Sequence, residues 1–171
     1  MSKNLDGKYL VDAESDPLII KVIGRASYLN CRPLADFFEK ALAQKKHNFG
    51  IDLEECTSMD STFIGIITSL AMRLVQHDAP EVVRLYHVSE RNLELIHNMG
   101  LDRIFTIQKG DLPPRSIFKD EKPLVSHKWE AANPELVLKA HQALVAANEA
   151  NKRKFEDLMT LLERELEHNN S

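Results

Sequence analysis

The feature that most restricts the fold of this chain is a repeated change of hydrophobic period between residues 8 and 108. Short runs rich in Val, Ile and Leu give way to stripes spaced by three and four residues, then return. Lys8 to Ala13 and Pro17 to Gly24 are two such runs, parted by Glu14-Ser15-Asp16-Pro17, and read as an antiparallel strand pair. Ile19, Ile20, Val22 and Ile23 are too dense for simple alternation, so the second strand is expected to be covered on both faces. Leu34, Phe37, Phe38, Ala41 and Leu42 then mark one face of a helix, with Asn30 as its expected N-cap and Pro33 in its first turn.

A third strand is predicted at Phe49 to Leu53, and Glu54 to Met59 is expected to connect it to a second helix starting near Asp60 or Ser61. Ile64, Ile67, Leu70, Ala71 and Leu74 form its stripe, and Ile66 widens that stripe until the helix is nearly surrounded. Val82 to Val88 follows as a strand, leading to Ser89 as the cap of a third helix with Val88 and Leu93 as a hydrophobic staple. Asn98-Met99-Gly100-Leu101 is a helix stop with Gly100 in the left-handed region, and Ile104 to Ile107 is the last strand. The order β-β-α-β-α-β-α-β predicts an α/β domain in which helices cover a mixed sheet.

The remainder has a different character. Residues 109–133 carry Pro113, Pro114 and Pro123 among scattered charges without a period, as a linker would. From Pro134 to about His168 there is no glycine and no internal proline, and Val137, Leu144, Phe155, Met159, Leu162 and Leu166 follow helical spacing. The expected organisation is a domain at 1–108, a linker at 109–133 and a helical extension at 134–171, as one long helix or two shorter ones. Positions 155, 159, 162 and 166 have the steps of a short coiled-coil seam, so a homodimer through this helix and packing back onto the domain are both open. Asn148 and Asn151 interrupt the upstream stripe, which argues against a continuous zipper.

Composition removes several classes of function. A net charge of −4 offers no general attraction to nucleic acid or to an anionic membrane. Cys31 and Cys56 make no CxxC pair and fit reduced thiols in a cytoplasmic protein. The first residues lack an apolar export segment, and Phe63 to Met72 is about half a membrane span, so neither export nor membrane insertion is expected. Seven histidines, at 47, 77, 87, 97, 127, 141 and 168, show no metal-ligand spacing, and six glycines form neither a P-loop nor GxGxxG. Asp52, Glu54, Glu55 and Asp60 surround one strand end, a solvated acidic loop before it is a Mg²⁺ or acid–base site. No metal and no cofactor are expected, and the chain is not expected to be an enzyme. Ser61 lacks a Gly-x-Ser-x-Gly elbow or a recognisable histidine base.

Local physics says most at Met59-Asp60-Ser61-Thr62-Phe63-Ile64-Gly65, a strand-to-helix turn where the first helical N–H groups lack partners of their own. Asp60 or Ser61 can cap the helix. A phosphate on Ser61 would place roughly −1.5 to −2 charges where the helix dipole favours anions, so modification would change the surface without unfolding the domain.

Ile51-Asp52-Leu53, Met59-Asp60-Ser61-Thr62 with Gly65, and Met99-Gly100-Leu101-Asp102-Arg103-Ile104-Phe105, together with the Gly24-Arg25 turn, resemble the STAS domain of bacterial anti-sigma factor antagonists over about residues 8 to 108. The resemblance implies a STAS-like fold and a partner switch in transcription regulation. Ser61 matches the serine phosphorylated by an anti-sigma factor that is itself a serine kinase, and a phosphatase would reverse the change. Asp60 matches the preceding acidic residue, and Thr62 a position where the family takes Ser or Thr. Asp60, Ser61, Thr62, Phe63 and Gly65 are accordingly the expected partner-binding residues. Phe63 stands where the family usually has glycine, either as an exposed anchor for a different partner or as a core residue. The alternative carried by the same resemblance is a soluble STAS subunit of an ABC-type lipid transport complex. A small-molecule sensor or hydrolase would need a pocket with convergent polar groups.

Overall fold

The computed structural model describes residues 7–76, 83–110, 122–124 and 131–171. Val82, the expected start of the fourth strand, Pro113, Pro114, His77 and His127 lie outside the described residues. The elements are β1 (Lys8–Val11), β2 (Leu18–Ala26), α1 (Arg32–Ala43), β3 (Phe49–Asp52), β4 (Cys56–Met59), α2 (Ser61–Val75), β5 (Val83–Tyr86), α3 (Glu90–Asn98), β6 (Phe105–Gln108), β7 (Lys122–Pro123), α4 (Pro134–Ala147) and α5 (Asn151–Asn169).

The sheet runs β6-β5-β3-β2-β1-β7, with β4 paired to β2 off that path. β1 is antiparallel to β2, as the turn between them requires, while β2, β3, β5 and β6 pair in parallel through helical crossovers. This is the mixed α/β sheet that the alternating periods predict. Ile19, Ile20 and Val22 are all buried, so β2 is covered on both faces. Phe38 and Phe49 meet edge to face at 5.8 Å and join α1 to the sheet.

Two elements differ from the expected order. The connection from Glu54 to Met59 contains β4, which pairs with the end of β2 across a register shift at Gly24/Arg25. Pairing there fixes the direction from which the chain enters α2. Lys122–Pro123, within the expected linker, adds to the free edge of β1, and Leu124 N–H donates to the Tyr9 carbonyl at 2.8 Å.

The helix ends follow their local chemistry. Ser89 caps α3 by accepting from the Asn92 N–H. Gly100, at φ +64°, closes α3 with its N–H on the His97 carbonyl and that of Leu101 on Ile96, the two bonds of a Schellman stop. Asn30 is not the cap of α1. Cys31 holds that position without a side-chain bond, and the Asn30 amide is spent on the preceding turn, accepting from Ser27 N–H and Tyr9 O–H and donating to the Arg25 carbonyl.

The extension forms two helices, divided at Asn148 and Asn151 as the broken stripe suggested. α4 lies along α2, and α5 returns against α4. Leu144 is fully buried, and buried Asn151 donates to the carbonyls of Leu144 and Met99. Along the expected seam, Leu162 is buried, whereas Phe155 sits against the His141 ring at 4.8 Å.

Candidate protein-interaction site

Strand β4 and the α2 N-terminus place Asp60 and Ser61 at one turn. Asp60 is the cap: one carboxylate oxygen accepts from Phe63 N–H at 2.9 Å, and the other accepts from Tyr28 N–H at 2.8 Å. Asp60 N–H in turn donates to the Ala26 carbonyl, so the turn is tied to the end of β2. Of the two capping choices open in the sequence, Asp60 takes the role. The Ser61 hydroxyl is left for other uses.

That hydroxyl is partly buried and lies 2.8 Å from Nε2 of His141 on α4. The tautomer follows from the other ring nitrogen. Nδ1 sits 2.7 Å from the Val137 carbonyl, which can only accept, so Nδ1 carries the proton and Nε2 presents its lone pair to the Ser61 O–H. Burial lowers the proton affinity of His141 below the ordinary histidine value, opposed by its bond to Val137 and by the Asp60 charge. The imidazole is therefore neutral near pH 7. Ser61 thus has a histidine base in hydrogen-bond reach, which the sequence did not reveal.

Thr62, Phe63 and Gly65 are all buried. The Phe63 ring is fully enclosed and lies parallel to Tyr9 with centroids 6.3 Å apart. It is a core residue, and as the chain is folded it offers no anchor to a partner. Gly65 faces α4 at close range: a Cβ placed there would come within 2.3 Å of the Ala140 carbonyl oxygen. Only a glycine lets the two helices approach so closely. The face that the resemblance assigns to partners is therefore occupied by the chain's own α4.

Two site residues escaped the sequence reading. His141 lies eighty residues from Ser61, and its only local signal is a polar ring on the stripe of Val137, Leu138 and Leu144. Tyr28, 49% exposed, is a large exposed aromatic whose backbone is fixed by Asp60. Its carbonyl accepts from Ala132 N–H at 2.6 Å.

The acidic strand end is more orderly than a solvated loop. Buried Asp52 accepts from Glu54 N–H at 3.1 Å and meets His87 Nδ1 at 2.9 Å. Asp52, Glu54 and His87 could together offer three ligand atoms to a divalent ion, and the Asp52 carboxylate already has both of these partners. Glu55 is exposed. Cys31 and Cys56 are buried and free, with thiols pushed up by burial to about 12 and about 11. Among the described residues, no helix is long and apolar enough to cross a membrane.

A mixed sheet with its helices crossing between parallel strands, and a capped strand-to-helix turn carrying a hydroxyl, define an α/β domain with a polar turn at the start of α2. Residues 9–109 match the family model described as "Mlab, STAS domain", and the chain belongs to the STAS domain family. No curated protein matches the chain.

Proposed function

We propose that this protein is a bacterial, cytoplasmic regulatory module that acts as an anti-sigma factor antagonist, with its partner binding controlled by phosphorylation of Ser61. The observation that carries this reading is the division of labour at the turn. Asp60 makes the capping bond to Phe63 N–H and a second bond to Tyr28 N–H, so the Ser61 hydroxyl can change chemically while the α2 N-terminus keeps its cap. Asp60 and Ser61 then form the switch, with Tyr28 beside them as an exposed aromatic contact. Thr62, Phe63 and Gly65 contribute by fixing the turn from below. The partner is an anti-sigma factor serine kinase, and a phosphatase restores the free hydroxyl. The module itself performs no catalysis.

The size of the switch follows from interface electrostatics. Burying a charge without its partner in an interface costs about 2–5 kcal/mol, so one phosphate weakens binding by about 30- to 3,000-fold. The test is to incubate the chain with serine kinases and ATP and to locate phosphate by mass spectrometry, with Ser61→Ala as control. Phosphate on Ser61, with loss of kinase binding, supports the reading; phosphate elsewhere, or undiminished binding of the modified form, refutes it.

A second reading is favoured by the description of the matched family, which names Mlab and not an antagonist. In that reading the chain is a soluble STAS subunit of an ABC-type lipid transport complex, and the same helix face binds its permease or ATPase. Co-purification with such an assembly, unaffected by kinase and ATP, would select it.

A further inference from the structure

The residue before His141 sets its place. Ala140 lies on Gly65, so α4 runs close enough to α2 for Nε2 of His141 to stand 2.8 Å from the Ser61 hydroxyl. The rest of the ring is fixed as well: Nδ1 is 2.7 Å from the Val137 carbonyl, and the Phe155 ring of α5 meets it edge to face at 4.8 Å. His141 is 1% exposed, whereas Ser61 is only half-buried, so a group added to the hydroxyl has an open side to extend into. Among the described residues, the charge acting on His141 is that of Asp60 on the turn; α4 presents the Val137 carbonyl and α5 the Phe155 ring, neither of them charged. A neutral amide at position 141 could accept the same hydroxyl bond. Only a histidine can also become a cation there.

We propose that His141 is the phosphate receptor of the switch: when Ser61 is phosphorylated, the imidazole takes up a proton, pairs with the phosphate and fastens α4 across the turn. The proposal rests on the reading of Ser61 as a modified residue and adds to it the group that answers the modification. The direction of the proton follows from the donors. The hydroxyl donates to the Nε2 lone pair, but a phosphate near neutral pH mainly accepts, so Nε2 must carry a proton to keep a bond there. Nδ1 keeps its own proton and its bond to Val137, and the imidazolium then has a partner at each nitrogen. An opposite charge within about 4–6 Å raises the proton affinity of a cationic group by roughly tenfold to a thousandfold, which opposes the burial that now holds the ring neutral. A charge-assisted bond is about twice as strong as a neutral one, so the modified turn holds α4 more firmly than the free hydroxyl does. The fastened, modified form is the one that loses its partner, in the same direction as the switch proposed for Ser61.

The test installs phosphoserine at position 61 of the full chain during synthesis, by amber suppression, so that no kinase is needed. The His141 ring is titrated by NMR between about pH 5 and 8 in the unmodified and phosphoserine proteins, with His141→Gln identifying its signal among the seven histidines. Exchange of α4 amides is read by mass spectrometry at about pH 6.5 in the same two proteins and in the same pair carrying His141→Gln. Phosphoserine should raise the His141 midpoint by about one pH unit or more and slow α4 exchange about tenfold, and His141→Gln should abolish the slowing. A midpoint that stays or falls overturns the proposal. So does α4 exchange that is unchanged or faster with phosphoserine, or a slowing that survives His141→Gln. If His141→Gln loosens the fold, the midpoint and the exchange in the native background still decide. Failure here leaves phosphorylation of Ser61 by a kinase standing, and failure of kinases to modify Ser61 leaves the response of His141 to the installed phosphate standing.

Discussion

Replacing Gly65 by alanine sets two known effects against each other at one position. In the interior of α2, alanine is favoured over glycine by about 0.8–1.0 kcal/mol. Against this, the new methyl carbon would lie 2.3 Å from the Ala140 oxygen, 2.6 Å from its carbonyl carbon and 2.8 Å from its Cβ. Ordinary carbon contacts begin at about 3.5 Å, so α4 must retreat by roughly 1 Å along a stretch that also holds His141. Overpacking of this kind costs about 1–3 kcal/mol. The clash therefore outweighs the propensity gain, and a net loss of about 1 kcal/mol is expected. With a urea dependence of about 1–3 kcal/mol per molar, the midpoint of unfolding should fall by roughly 0.5 M. Exchange in α4 should rise further than exchange in β2 or β3. A raised midpoint with unchanged α4 protection would refute the close helix approach from which the reasoning starts.

Other outcomes follow from the same contacts. Phe63→Ala removes a fully enclosed ring stacked on Tyr9 and should cost about 3–5 kcal/mol in urea unfolding, whereas a surface anchor would cost almost nothing. Asp60→Ala should destabilise more than Ser61→Ala: the former loses the cap and the Tyr28 bond, about 2 kcal/mol or more, and the latter one hydrogen bond, about 0.5–1.5 kcal/mol. Their order in thermal unfolding checks which residue caps α2. For His141, burial holds the folded-state proton affinity below the unfolded value, so its stabilising contribution is complete above about pH 6.5. That contribution is lost as pH falls through the lowered folded value, with Asp60 the nearby charge that limits the loss. Stability measured from pH 7.5 downward should show this slope, and His141→Phe should remove it.

The elements legible in the sequence were those whose signal is local. Dense Ile and Val marked β2, the 3- and 4-residue steps of Ile64 to Leu74 marked α2, and Gly100 followed by Leu101 marked the stop of α3. β4 was not legible because four residues with polar Thr57 and Ser58 at the centre carry no period, and its pairing depends on the irregular end of β2. β7 is two residues long and includes a proline, so only the free edge of β1 makes it a strand. Asn30 has the residue type of a cap, and a tertiary partner, the Tyr9 hydroxyl, claims its amide instead. At the site, the type of turn and the exposed chemistry of Asp60 and Ser61 could be read locally. The contact with His141 could not, since it joins segments far apart along the chain. Two local features bear on it in hindsight: a glycine in the second turn of α2, and a histidine on the apolar stripe of α4.

The eighty residues between Ser61 and His141 also impose an order in time. At synthesis rates of about 5–20 residues per second, the chain grows for roughly 4–16 s after the serine is added before the histidine exists. β5 and β6 are themselves added within that interval, so the sheet and α2 can be complete without their lid only over its last part, between residues 108 and 141. Any enzyme or partner stationed near the ribosome meets a bare hydroxyl, and the finished molecule greets later arrivals with a different face.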